Sequence, residues 1–183
     1  MELLEGGVAC LVPVLTEVGP ADLTRPTPCR GWDLATLLLH LAEGVDTVTT
    51  CLPDEFPCED PGPLRSVADL RERCQRMVAA WSRAVEHDPA EVLCDWGGVT
   101  LPHHVVALVG GLELVVHAWD VARSLGLHLS TADALAADLL PWTPMLLQET
   151  HAFGPPRPCA PDTPALDRLV AATGRDPRAW PGA

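Results

Sequence analysis

Residues 112–120, Leu-Glu-Leu-Val-Val-His-Ala-Trp-Asp, set a carboxylate and an imidazole four positions apart in a run that otherwise reads as buried helix. Positions i and i+4 share a helix face, which puts Glu113 and His117 about 6 Å apart along the axis. A glutamate is almost never fully buried without a partner. Leu112, Leu114, Val115, Val116 and Ala118 leave little polar surface around the pair. Burying the charge alone is expensive, and a divalent cation would offset that cost. A second apolar run, residues 34–41, carries His40. Two helices that bring His40, Glu113 and His117 to one interior point give a three-ligand metal site with an open fourth position, the pattern of a catalytic site. The blander reading, a helix-surface Glu–His pair and a satisfied core histidine, stays open at this point.

The rest of the chain reads as helices joined by long connections. Residues 2–18 place Leu4, Val8, Leu11, Val12 and Leu15 at helical spacing, with Pro13 as a kink or first-turn residue. Residues 25–32 are turn chemistry, and Asp33 can cap a second helix running to about Thr50. A Pro- and acid-rich crossover spans residues 52–63. Ser66 or Asp69 begins a third helix to about His87, with Leu70, Cys74, Met77, Val78 and Trp81 on one face. Residues 88–101 are a connection with short extended pieces around Val92 and Val99. Pro102 suits the first turn of a fourth helix that runs to about Leu125 and stops at Gly126. Ser130 or Thr131 opens a fifth helix ending near Gln148. In the Pro-rich tail, residues 153–183, one short helix over 165–173 is stopped by Gly174. The expected class is all-α, one domain over residues 1–183 with the tail packed on it, and a bundle with crossovers suits the long connections.

Charge narrows the function. Twelve basic residues, all arginine, against 25 acidic ones leave a net charge of −13, the wrong sign for nucleic acid or an anionic membrane surface. No signal-peptide pattern and no apolar run of membrane-spanning length stands out, so the expected location is cytoplasmic. Seven cysteines without a CxxC motif are neither a disulfide framework nor a thiolate zinc site. The expected partner is a small-molecule substrate, and the chain is expected to be a monomer or homodimer.

Around the central trio several residues have two readings. Asp120 either hydrogen-bonds the free ring nitrogen of His117 or pairs with Arg123. Cys29 reads as a small filler at a tight turn or as a nucleophile, and Trp32 and Trp119 as core or as substrate-stacking groups. His103 lies about 21 Å along the helix axis from His117 and, with His104, belongs to a solvated helix start. His87, His128 and His151 have no supporting context. Small residues at Gly44 and Thr47 would either leave a cavity next to the metal or simply permit close helix packing. Arg123 and Arg30 are candidate anchors for substrate carboxylates.

Residues 27–33 (Thr-Pro-Cys-Arg-Gly-Trp-Asp) followed by 37–41, residues 113–123, and the ending at 166–177 together resemble the DinB/YfiT-like superfamily. Within it they are most similar to the actinobacterial metal-binding group related to mycothiol-dependent maleylpyruvate isomerase. The resemblance covers nearly the whole chain. It implies a DinB-like four-helix bundle with a divalent metal, zinc or nickel, on His40, Glu113 and His117 near one end. It also implies a thiol cosubstrate: mycothiol in actinobacteria, bacillithiol in some firmicutes. The arginine-only basic set, consistent with a GC-rich genome, agrees with mycothiol. The isomerase itself carries an additional C-terminal domain where this sequence has a short Pro-rich tail, so its particular substrate is not carried over.

The leading expectation is a metal-dependent enzyme that activates a low-molecular-weight thiol for S-transfer to, or isomerisation of, a small electrophile. One alternative keeps the metal without a thiol, as a hydrolase, isomerase or cyclase of secondary metabolism. The other is a non-catalytic small-molecule or metal-binding protein.

Overall fold

A computed structural model describes residues 1–53, 56, 58, 60–87, 92–129, 131–148 and 153–178. Four long helices carry the core: α1 (Glu2–Thr16), α2 (Leu34–Thr50), α3 (Val67–His87) and α4 (His103–Ser124). The chain is mostly helical. α4 lies along α1, α2 packs against both α3 and α4, and α3 also touches α1.

Local chemistry sets these boundaries. Asp33 caps α2 as its sequence position predicts, its Oδ1 accepting the Thr36 N–H at 2.9 Å and the Thr36 hydroxyl at 2.7 Å. Ser66 does the same for α3, accepting the Asp69 N–H at 3.1 Å. The α3 face expected to be apolar is the buried one: Leu70, Cys74, Met77 and Trp81 are at most 0% exposed, and Val78 sits at its edge. The Trp81 indole N–H, too deep for water, donates to the Val48 carbonyl at 2.8 Å and ties α3 to α2. α1 and α4 approach so closely that a Cβ at Gly7 would stand 2.8 Å from the Leu114 Cβ, which only a glycine avoids.

α4 is buried nearly all round from Val106 onward. It is long and apolar enough to cross a bilayer, yet 83% of its apolar window is buried inside the protein, as in a core helix. The short extended pieces expected around Val92 and Val99 form an antiparallel hairpin, β1 (Leu93–Trp96) and β2 (Val99–Pro102), with Trp96 opposite Val99. The Asp95 N–H donates to the Cys51 carbonyl at 2.9 Å, pinning the hairpin to the end of α2. Pro102 closes β2 and is the residue before α4, not its first turn.

α1 runs through Pro13 to Thr16, so this proline lies inside the helix as one of its two readings had it and does not mark a first turn. The single fifth helix expected is instead broken into α5 (Asp133–Leu139) and α6 (Thr143–Gln148) by a 3-10 turn at Leu140–Trp142. Pro141 lacks an N–H and crowds the preceding turn, so an α-helix does not continue through it here. Thr131 lies in the turn before α5, and Ser130 is outside the described residues. The tail carries α7 (Ala165–Ala172), tied back when the Leu166 N–H donates to Asp133 Oδ1 at 2.9 Å. Gly174 follows with φ +87°, and a Cβ there would meet the Gly154 backbone at 2.8 Å. That turn aims the next residue, Arg175, at α4.

Candidate metal centre

The structure brings together the three residues singled out from the sequence. His40 projects from α2, Glu113 and His117 from α4, and a donor atom from each lies within 4.8 Å of the others. His117 Nε2 is 3.0 Å from Glu113 Oε2, and His40 Nε2 is 3.7 Å from the same oxygen. The two imidazoles meet edge to face with centroids 5.0 Å apart. His117 is buried at 4% exposure, while Glu113 and His40 keep 29% and 39%. The trio thus has one wall inside the protein and one side reachable by solutes.

Behind His117 stands a fully buried carboxylate. Asp120 Oδ2 is 2.8 Å from His117 Nδ1, so the other ring nitrogen, Nε2, is the one turned to Glu113. Asp120 is itself held by Arg175, whose Nη2 donates to Oδ2 at 2.7 Å and whose Nε donates to Oδ1 at 3.2 Å. Arg175 Nη1 also donates to the Thr173 carbonyl at 3.0 Å, and the guanidinium lies 5.2 Å over the Phe153 ring. Of the two roles open to Asp120, holding His117 is the one its geometry serves.

These contacts dominate the proton affinities. Burial alone would raise the Glu113 carboxyl, but the close contact with His117 and the nearby His40 imidazole outweigh it and hold the group at about 2. Burial alone would strip the proton from His117. Asp120, then Cys29 and Glu113, reverse that and keep the imidazolium well above the ordinary histidine range. Burial opposes the Asp120 charge as well, yet His117 and Arg175 lower its carboxyl below the usual range.

Two imidazole nitrogens and one carboxylate facing a reachable space form a donor set suited to a divalent ion with three protein ligands. The Asp–His pair supplies the outer hydrogen bond that commonly fixes a ligating imidazole. Cys29, His117 and Asp120 form a second close group, but it suits a cation poorly because Arg175 already neutralises Asp120.

The sequence reading misjudged four residues here. Cys29 is no turn filler: its thiol donates to Asp120 Oδ2 at 3.2 Å, receives Arg175 Nη2 at 3.2 Å, and lies 3.9 Å from His117 Nδ1. The turn that places it is built by Thr27, whose hydroxyl accepts the Cys29 N–H and donates to the Trp32 carbonyl. Trp32 is half-buried, with its ring 5.0 Å from His40, and walls the site, whereas Trp119 is core as expected. Arg123 points elsewhere, over the Trp119 ring and toward the Pro177 carbonyl, so it is not the anchor expected. Arg175 was missed. Its signals were its position directly after a glycine stop and its place in the tail motif.

His103 and His104 pair with each other at the far end of α4, and His128 is exposed. His87 meets the Phe56 ring edge to face, and His151 is outside the described residues.

The trio stands where two cavities meet. A cleft of about 920 Å³ opens beneath the tail and is lined by Cys29, Arg30, Trp32, Arg157 and Arg175. A smaller cavity lies between α2, α3 and α4, next to Gly44 and Thr47 as their size suggested.

The fold and site define a mostly helical protein whose core helices gather a His–Glu–His cluster at the foot of a cleft. The chain belongs to the DinB-like family described as mycothiol maleylpyruvate isomerase N-terminal domain, whose family profile matches residues 7–122. His40, Glu113, His117 and Asp120 fall inside that match; Arg175 lies beyond it. Two relatives from Mycobacterium tuberculosis, the uncharacterized protein Rv0738 (strain ATCC 25618 / H37Rv) and the uncharacterized protein MT0763 (strain CDC 1551 / Oshkosh), are each 26% identical over 181 residues. The matches cover 90% of this chain and 91% of each relative. No solved structure matches.

Proposed function

We propose that this protein is a divalent-metal-dependent enzyme that activates a low-molecular-weight thiol, mycothiol, for S-transfer to or isomerisation of a small electrophile. The observation that carries the reading is the convergence of His40, Glu113 and His117 on one reachable point, with Asp120 fixing the His117 ring from behind. Family membership supports the choice of thiol. We read the architecture as a DinB-type four-helix bundle forming one domain, working on a small molecule as a monomer or homodimer, with zinc or nickel as the metal.

His40, Glu113 and His117 would hold the ion, which when bound supplies the positive charge that favours thiolate over thiol at neutral pH. The chain's own residues do the remaining work. Asp120 keeps His117 in the tautomer that offers Nε2 to the site. Arg175 holds Asp120 ionised and braces the tail over the cleft. Trp32 shields one face of His40. Arg30, exposed at the cleft, suits an anionic group on the thiol or its partner, and so does Arg157, whose guanidinium also donates to the Gly174 carbonyl and faces Asp176.

The test is a calorimetric titration of the metal-loaded protein with mycothiol, repeated on His40→Ala. Saturable binding that the substitution removes is the expected result. Metal binding without thiol binding would replace this reading with a thiol-independent hydrolase, isomerase or cyclase.

A further inference from the structure

The second cavity at the trio differs chemically from the cleft. It runs between α2, α3 and α4 to Trp96 of the hairpin, and its volume is about 160 Å³. Leu41, Val48, Met77, Trp96 and Val109 make its walls, and the ionisable groups that line it are His40, Glu113 and His117 themselves. The Thr47 hydroxyl at its rim is already engaged with the Glu43 carbonyl at 2.8 Å. It is therefore an apolar space whose polar floor is the candidate centre.

A space of about 150 Å³ lined by apolar side chains is large enough to take up a benzene-sized ring, and this one is open at the rim, where Thr47 is exposed. Gly44 keeps the space open, since a Cβ built there meets nothing among the described residues within 4 Å. A glycine inside a helix weakens it, and no packing contact among the described residues calls for one at this position.

We propose that this cavity is a subsite for an aromatic ring carried by the substrate, placed next to the atom that reacts at the trio. The substrate class is then a small arylated molecule with a polar or anionic end: the ring enters between α2, α3 and α4, and the polar end faces Arg30 and Arg157 across the centre. What reacts at the trio rests on the function proposed above; whether a ring binds does not.

The experiment separates the two. Toluene, which carries no metal-binding group, is titrated into the metal-free full-length protein. The Trp96 indole N–H resonance, assigned with Trp96→Phe, reports occupancy. A saturable shift is expected, with affinity at least about tenfold weaker in Gly44→Leu, which fills the space. Val109→Phe is a second filling variant should the first misfold. In the metal-loaded protein phenylacetate should bind at least about tenfold tighter than acetate, a margin Gly44→Leu erases. No saturable shift, undiminished toluene affinity in both filled variants, or equal affinity for the two acids overturns the subsite. Metal content read on the same samples reports on the metal reading independently.

Discussion

Arg175 is the residue whose removal says most about how the tail and the centre are joined. Asp120 is 0% exposed, so water cannot replace what the guanidinium provides. In Arg175→Met the carboxylate loses bonds of 2.7 and 3.2 Å but keeps His117 Nδ1 at 2.8 Å and the Cys29 thiol. Breaking a buried ion pair from one side costs about 3–5 kcal/mol, and the surviving partners place the expected loss near about 3 kcal/mol. For a chain of this size each kcal/mol moves the midpoint by about 2–4 °C, so Tm of the metal-free protein should fall by roughly 6–12 °C. Asp120→Asn, which leaves Arg175 buried without its counter-charge, should cost a similar amount. Circular dichroism melts and urea denaturation of the wild type, both single variants and the Asp120→Asn/Arg175→Met double variant make the test. The double variant should lose less than the sum of the singles, with a coupling of at least about 1 kcal/mol. A single-variant loss within about 0.5 kcal/mol of zero, the range of ordinary surface changes, would refute the reasoning. So would strict additivity.

Other outcomes follow from the same structure. Asp120→Asn should weaken divalent-metal affinity about 10- to 100-fold by releasing the His117 ring, as measured by competition with a chelating dye; unchanged affinity would show that the ring needs no such support. Gly7→Ala forces a Cβ to 2.8 Å from the Leu114 Cβ and should cost about 1–3 kcal/mol in urea denaturation. Gly44→Ala enters open space and should stabilise, since alanine is the better helix former; equal effects from the two would contradict the packing described. Asp69 is held at about 2, chiefly by the hydrogen bond from Arg73, against an ordinary 3.8. Because its folded value is lowered, its contribution is complete above the ordinary value and disappears as pH falls toward 2. Asp69→Asn should therefore flatten stability against pH between about 4 and 2, and an unaltered acid limb would exclude this group.

What could be read from the sequence was what local rules govern. Asp33 and Ser66 announced the starts of α2 and α3, and apolar spacing announced the buried face of α3. Glu113 and His117 were legible because helical geometry joins them, and His40 because an apolar run had no other use for it. Cys29 and Trp32 were not, since a turn has no periodicity to say which way a side chain faces. Arg175 reaches Asp120 across 55 positions from an irregular Pro-rich segment, and no spacing rule spans that. Proline has no single reading: α1 carries Pro13 within it, as its apolar spacing indicated, whereas Pro141 divides what patterning had joined.

The central claim is that His40, Glu113 and His117 hold a metal together. Elemental analysis of the purified protein beside His40→Ala, Glu113→Ala and His117→Ala tests it most directly. The account predicts about one zinc or nickel ion per chain in the wild type, lost in each variant while far-UV circular dichroism stays helical. Full metal retention in all three variants, or a wild type that binds no divalent ion on reconstitution, would contradict it.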